Sequence, residues 1–325
     1  GGPNSYMYQA ITTVPGRKYK ISLTQYHHAT ISVYYSVGTS INGGDLVTDT
    51  WVSSSSNTPR NEHNTFTATG TTTYLTLGIT SGTNNYDTGW DNVLITEVVD
   101  DRSVNENGLH SYGTITKSAV ATGAELVAYS FGSNSNYLEQ PYNSDLDYGT
   151  GDMYYSMWIY ASSSDSFDGY TYIFERSSVS DTNNRRLEAR MTTSTRLEIY
   201  SNGQTLDNNV SVPANAWYKL DILRRSGEAF VYINGEYHSS TTGGAATNSL
   251  TDTSAKLVIG NRAYFATRQY GFPSNSKIAL FRTGASAPTA AQVKKMYEDE
   301  KHLFQENAKA TLYGSSDAVT ALGYD

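Results

Sequence analysis

The chain has no cysteine among its 325 residues. Disulfides, thiolate nucleophiles and cysteine-ligated zinc are therefore excluded. An extracellular protein of this composition must be held by core packing, with calcium as the candidate aid, which suits bacterial or viral surfaces better than animal secretion. Charge is also sparse, at 17% of residues, and acidic in balance: 23 Lys and Arg against 31 Asp and Glu, for a net charge of −8. Basic residues occur as local pairs such as Arg185-Arg186 and Arg224-Arg225. Nucleic acid is excluded as a partner, because phosphate binding needs basic side chains clustered into a stripe or patch. No apolar run approaches the roughly 18 residues of a membrane-crossing helix, and no signal peptide is visible. Strong helix formers are scarce, and Ser, Thr, Asn, Gly and Tyr fill their place.

What is present is alternation. Asn215 to Glu236 reads as two strands joined at Ser226-Gly227, with Asn234-Gly235 as a second turn. Trp217, Leu220, Ile222, Val231 and Ile233 are its expected core, and Trp158 is expected in the core too. The 27 tyrosines suit half-buried pleated surfaces, or recognition surfaces that need a ring with a polar tip. Short alternating segments also fill residues 6–99: strands at 6–11, 18–23, 30–37, 46–52, 64–68, 72–79 and 90–98. Val14-Pro15-Gly16-Arg17 is placed as a type II turn. Residues 100–109 (D-D-R-S-V-N-E-N-G-L from Asp100) read as a linker. Further strands run from 127 to about 284. Pro288 then opens a helix to about Asn307, with a Thr289/Gln292 capping box and Val293, Met296, Tyr297, Leu303 and Phe304 mostly on one side.

The fold class expected is all-β: two β-sandwich (jelly-roll) domains in tandem plus one C-terminal α-helix. The divisions are 1–99, a linker at 100–109, 110–287, the helix at 288–308, and the start of a further segment at 309–325. Y-Q-A-I-T-T-V-P-G-R-K-Y-K-I-S (8–22), F-T-A-T-G-T-T-T-Y-L-T-L-G-I (66–79) and G-W-D-N-V-L-I-T-E (89–97) resemble the jelly-roll carbohydrate-binding modules of the galactose-binding-like superfamily. That resemblance implies a structural calcium held by Asp91; otherwise Asp91 caps a turn. Y-S-M-W-I-Y (155–160), A-W-Y-K-L-D-I-L (216–223), A-F-V-Y-I-N-G-E (229–236), L-V-I-G-N (257–261) and I-A-L-F-R-T-G (278–284) resemble, in that order, a concanavalin A-like, laminin-G-type lectin sandwich. Segments 291–308 and 311–322 resemble tail segments of viral structural and receptor-binding proteins. The family's first strand starts further upstream, and the final A-L-G-Y-D reads as an opening strand, so the chain is expected to be a piece of a longer one.

Glycosidases need two carboxylates flanking one bond. No E-x-D-x-x-E pattern occurs, and Glu188 and Glu198 fall on separate strands. No G-x-S-x-G elbow is present. The R-L-E-A-R (186–190), E-Y-H (236–238) and Y-F-A-T-R-Q-Y (264–270) series resembles jelly-roll alginate lyases in order. It departs from them at Glu236, Thr267 and His238. Asp145 and Asp147, with Asp152, form an acidic loop that suits calcium by spacing or is simply solvated. His27 and His28 are adjacent, so they face opposite ways on a strand and share no metal.

Sugar recognition needs flat rings and planar polar groups. The candidates are Trp51, Tyr34, His28, Trp90 and Asn92 in the first unit. In the second they are Tyr170, Arg176, Arg186, Tyr264, Arg268 and Tyr270, of which the last three lie in the loop 261–273. The expectation is a non-enzymatic glycan-binding protein at a virion surface or outside the cell, forming an oligomer, as a trimer, through the helix. The alternatives are a purely structural fibre module and a lyase on uronate polymers.

Overall fold

Alternating strands with one apolar face need a second sheet to cover that face, and the computed structural model shows this arrangement twice. It describes residues 5–26, 32–51, 59–79, 89–99, 108–167, 170–178, 187–263 and 270–306, without the side chains of Thr50, Trp51 and Val99. The expected linker core (100–107) and the expected further segment (309–325) lie outside these residues. The chain divides into two units, Gly1–Tyr112 and Gly113–Asp325.

In the first unit the strands are β1 (Ser5–Thr12), β2 (Lys18–Tyr26), β3 (Val33–Gly38), β4 (Val47–Trp51), β5 (Arg60–Thr67), β6 (Thr72–Ile79), β7 (Gly89–Val99) and β8 (Leu109–Tyr112). They form two antiparallel sheets, β1-β6-β3-β4 and β5-β2-β7-β8. Tyr19, Ile21 and Leu23 of β2 share one face, as their period of two requires. They are buried with Tyr35, Val37, Phe66 and Leu75 between the sheets. Gly16 has φ +80°, and the Arg17 N–H donates to the Val14 carbonyl at 3.1 Å. This is the type II turn read from Pro15-Gly16.

The second unit contains β9 (Thr116–Ala119), β10 (Val127–Ser130), β11 (Tyr137–Gln140), β12 (Met153–Tyr160), β13 (Thr171–Ser177), β14 (Leu187–Thr193), β15 (Arg196–Ser201) and β16 (Gln204–Ser211). It continues with β17 (Trp217–Arg225), β18 (Glu228–Ile233), β19 (Glu236–Thr242), a four-residue helix α1 (Gly244–Thr247), β20 (Lys256–Ile259), β21 (Lys277–Gly284) and α2 (Ala290–Glu300). One sheet runs β19-β18-β17-β12-β21-β10-β9; the other contains β16-β15-β14-β13-β20-β11. Between them Tyr155 stacks on Phe174, with ring centroids 5.0 Å apart and planes 5° from parallel. Leu220 lies opposite Ile233, and Ile222 opposite Val231, on this inner face.

Trp158 is buried, but on the other face. It pairs across strands with Lys219, one residue out of phase with Tyr155 and Met157. Trp217 also lies on that outer face, out of phase with Leu220, and is half-buried, its indole N–H donating to the Val120 carbonyl at 2.9 Å. The cover is α2, which begins with the expected capping box. Val293 joins Tyr154, Leu223 and Tyr232. The α-helix stops at Glu300, short of the expected Asn307. A 3-10 turn (Lys301–Phe304) then lays Phe304 on Trp158 at 4.1 Å between centroids. Leu303 remains exposed. Among the described residues, no helix is long and apolar enough to cross a membrane.

Candidate functional site

The sheet that α2 does not cover presents a polar outer face. Register places Tyr172, Arg190 and Glu198 in one cross-strand row and Glu175, Glu188 and Tyr200 in the next. The intervening Leu187, Ala189, Met191, Leu197 and Ile199 are fully buried, so the period of two delivers these six polar and aromatic side chains to the opposite face.

Arg190 is the centre. Its Nε and Nη2 donate to Glu198 Oε2 at 3.1 and 2.9 Å, and its Nη1 reaches Glu188 Oε1 at 3.4 Å. Its guanidinium lies between two rings, with its central carbon 4.6 Å from the Tyr170 centroid and 4.4 Å from that of Tyr200. Tyr200 OH donates to the same Glu198 oxygen at 3.2 Å. Burial alone would weaken the Arg190 charge, but its donation to Glu198, the nearby Tyr172 hydroxyl and the charge of Glu188 outweigh it, so its pKa rises. The Tyr172 phenol is pushed up by burial, then by the charges of Glu188 and Glu175.

Tyr270 stands beside this cluster, 5.7 Å from Tyr170 and 6.4 Å from Tyr172 between centroids. Its carbonyl accepts from the Tyr172 N–H at 3.0 Å. The Arg262 guanidinium lies 5.3 Å from the Tyr172 ring, and buried Glu175 accepts from the Ala263 N–H at 2.6 Å, fixing the start of the 261–273 loop to the sheet. Tyr170 is the outermost member, 47% exposed. The result is a solvent-facing ring on a base of matched charges.

Of the residues expected to bind sugar, Tyr170 and Tyr270 therefore meet. Arg176 does not join them. It is 1% exposed and points to the other face, where Nη2 donates to Asp147 Oδ1 at 2.5 Å and Nη1 to the Leu250 carbonyl at 2.6 Å. Trp90 is partly buried and packs against the core of its own unit. Tyr34 lies on the outer face of β3, its OH 3.2 Å from Asn42 Oδ1. Asn92 has φ +52° and reaches Thr24 Oγ1 at 3.4 Å. His28, Arg186, Tyr264, Arg268 and the Trp51 side chain lie outside what is described.

The acidic residues expected to hold calcium have protein partners. Asp147 is already matched by Arg176, and Oδ1 also accepts from the Asp252 N–H at 3.1 Å. Asp145 sits in a 3-10 turn (Ser144–Leu146), its N–H bonded to Asn143 Oδ1. Asp91 is exposed and accepts from the N–H of Asn92 at 2.7 Å. Among the described residues, no three His, Asp or Glu side chains converge on a point that could hold a metal. His238 of the lyase-like series is on β19, in the other sheet, 3.4 Å from Asp207.

Tyr200 was not singled out from the sequence; Arg190 entered only within R-L-E-A-R, and Glu198 only as a carboxylate on a strand separate from that of Glu188. Their signal is R-L-E-A-R followed by R-L-E-I-Y, two polar alternations joined by a tight turn at Ser194-Thr195, which must share a face when paired.

Three solved structures are among those similar to this chain. Domain 4 of an extracellular arabinanase from Geobacillus stearothermophilus, in complex with arabinotriose, is 19% identical at a TM-score of 0.42, covering 57% of this chain and 82% of that one. A heptameric SAP-like pentraxin from Limulus polyphemus is 14% identical at 0.41, covering 55% and 85%. The CBM40 of a Ruminococcus gnavus sialidase, bound to α2,3-sialyllactose, is 11% identical at 0.41, covering 52% and 95%. No curated protein sequence matches the chain. Residues 132–294, from just before β11 into α2, match the model of one family. That match takes in the sheet bearing Arg190 and half of the whole sequence: the chain belongs to the concanavalin A-like lectin/glucanases superfamily.

Proposed function

We propose that the protein binds glycans without cleaving them, through the face around Tyr170. The observation that carries this is the exposed Tyr170 ring held over Arg190. A pyranose ring stacks on such a surface through its apolar face, and the underlying ion pairs hold the ring in place before the ligand arrives. Hydrolysis needs two carboxylates on either side of one bond, one to donate and one to attack or activate water. Here Glu188 and Glu198 converge on a single guanidinium, and Glu175 accepts from a backbone N–H. These partners favour lectin over glucanase within the superfamily.

The place of action we propose is an extracellular or virion surface, on the likeness of 291–308 and 311–322 to viral tail segments. Finding the chain by mass spectrometry among the proteins of purified particles or a culture supernatant checks that location; finding it only inside cells counts against it.

Binding is tested by calorimetric titration and glycan-array screening, with arabinotriose and α2,3-sialyllactose among the first probes. Tyr170→Ala is expected to weaken the best ligand at least about tenfold, the value of one good aromatic contact, with its melting curve unchanged. Release of reducing ends or of unsaturated products from the bound polysaccharide would refute the non-catalytic reading. Equal binding by Tyr170→Ala would refute the site.

A further inference from the structure

The first unit carries an exposed tyrosine face that the site in the second unit does not use. β1 is an edge strand, and every one of its residues except Ile11 is exposed. Tyr6 and Tyr8 are 47% and 54% exposed. Register sets Tyr6 against Gly78 and Gly78 against Tyr34; it sets Tyr8 against Thr76, and Ala10 against Tyr74. Cross-strand partners share a face, so Tyr6, Tyr8, Tyr34 and Tyr74 all stand on the side turned away from the core of Tyr35, Val37 and Leu75.

The face is shaped for flat rings. A Cβ at residue 78 would lie 2.2 Å from Tyr34 Cζ, so glycine is what lets the Tyr34 ring cross the sheet toward β1. Asn42 holds that ring by its OH at 3.2 Å, while its own N–H donates to Thr76 Oγ1 at 3.1 Å. The Tyr8 and Tyr74 rings meet at 6.4 Å between centroids. Every other position in these cross-strand rows is Gly, Ala, Ser or Thr. The charge nearest to them is the Asp45 carboxylate beside Gly38, which accepts from the Thr39 N–H at 3.0 Å.

Burial does not explain these tyrosines, since two are among the most exposed large side chains described. We infer that the outer face of β1-β6-β3-β4 is a second glycan site, one that takes an uncharged polysaccharide lying across the sheet. Its rings supply stacking surface, and its phenol, Asn and Thr groups supply donors and acceptors for neutral hydroxyls. With no cation in the rows and the Asp45 carboxylate beside them, a uronate or sulfate finds no partner to offset its desolvation.

The test is affinity electrophoresis of the full chain through gels holding hydroxyethylcellulose, mixed-linkage β-glucan, xylan or galactomannan. Wild type and Tyr170→Ala are expected to be retarded by at least one of these polymers. The double variant Tyr6→Ala/Tyr8→Ala should bind it at least about tenfold more weakly. Gly78→Ala, which deletes no ring but displaces Tyr34, should also weaken it, and near-UV circular dichroism reports whether each variant keeps its fold. Retention by no neutral polymer overturns the inference, as does equal retention of the double variant. Loss in Tyr170→Ala with the double variant unaffected assigns binding to the second unit alone. Light scattering covers the remaining occupant, a second copy paired along the free β1 edge: a dimer that the double variant dissolves also overturns it.

Discussion

Arg224 shows how much polar chemistry this sandwich places inside. Its side chain is fully buried on the inner face of β17, and its donors go to backbone oxygens: Gly151 O at 2.6 Å, Gly149 O at 2.7 Å and Asn248 O at 3.0 Å. Burial lowers its pKa and the nearby Asp152 charge opposes that shift, but guanidinium stays protonated in proteins. It is a brace between β17 and two loops, in a way that no alternation pattern announces. Arg224→Met keeps much of the volume and leaves those carbonyls unpaired. The expected loss is about 3 kcal/mol, at roughly 1–3 per orphaned buried group, read as a lower urea midpoint at constant slope. Arg224→Lys should recover little, because a single ammonium cannot span the fork of acceptors. An unchanged midpoint for Arg224→Met would mean that water replaces the guanidinium without cost. The same inward use of arginine removed Arg176 from the candidate sugar site, whereas Arg190, on the opposite face, forms its centre.

At the scale of elements, the hairpin β17-β18 was legible in the sequence down to its turns: Ser226-Gly227 and Asn234-Gly235 all have positive φ. Its period of two says which residues share a face but not which face is covered. Lys219 and Asp221 are charged yet fully buried, paired at 2.5 Å, and Tyr154 OH donates to Asp221 Oδ1 at 2.9 Å. The cover is α2, which arrives about seventy residues later in the chain, so no local pattern on β17 could reveal it. That docking also changes the reading of the helix. Val293, Met296, Tyr297 and Phe304 are packed on their own sandwich, and Trp158 Nε1 donates to Glu300 Oε2 at 2.7 Å. Of the residues on which the oligomer contact was expected, Leu303 alone stays exposed. Phe304→Ala removes the ring stacked on Trp158. It should cost about 3 kcal/mol, the low end for a buried phenylalanine, and red-shift the tryptophan emission as Trp158 meets water. Unchanged stability with unchanged emission would show that the 3-10 turn does not hold the face.

For the whole molecule, the two-sandwich plan was readable because strand periods and turn residues recur along the entire chain. The units divide after Tyr112, where β8 pairs back onto β7, just beyond the linker expected at 100–109. Loop chemistry was the least legible part, because which rings meet depends on register between distant strands. Charge is a property of the whole chain, and it bears on the ligand. An anionic sugar would need a cation at the site, but Arg190 is committed to Glu198 and Glu188, and the net charge is −8. A polyanion is therefore repelled at long range and finds no unmatched Arg190 at contact. Alginate should leave the electrophoretic mobility unchanged at 20 mM and at 500 mM salt. Binding of a neutral polymer should change less than about twofold over that range, because screening acts only on charge. Retardation by alginate at low salt that high salt abolishes would reverse this conclusion and restore the uronate reading, with Arg262 as the first side chain to substitute.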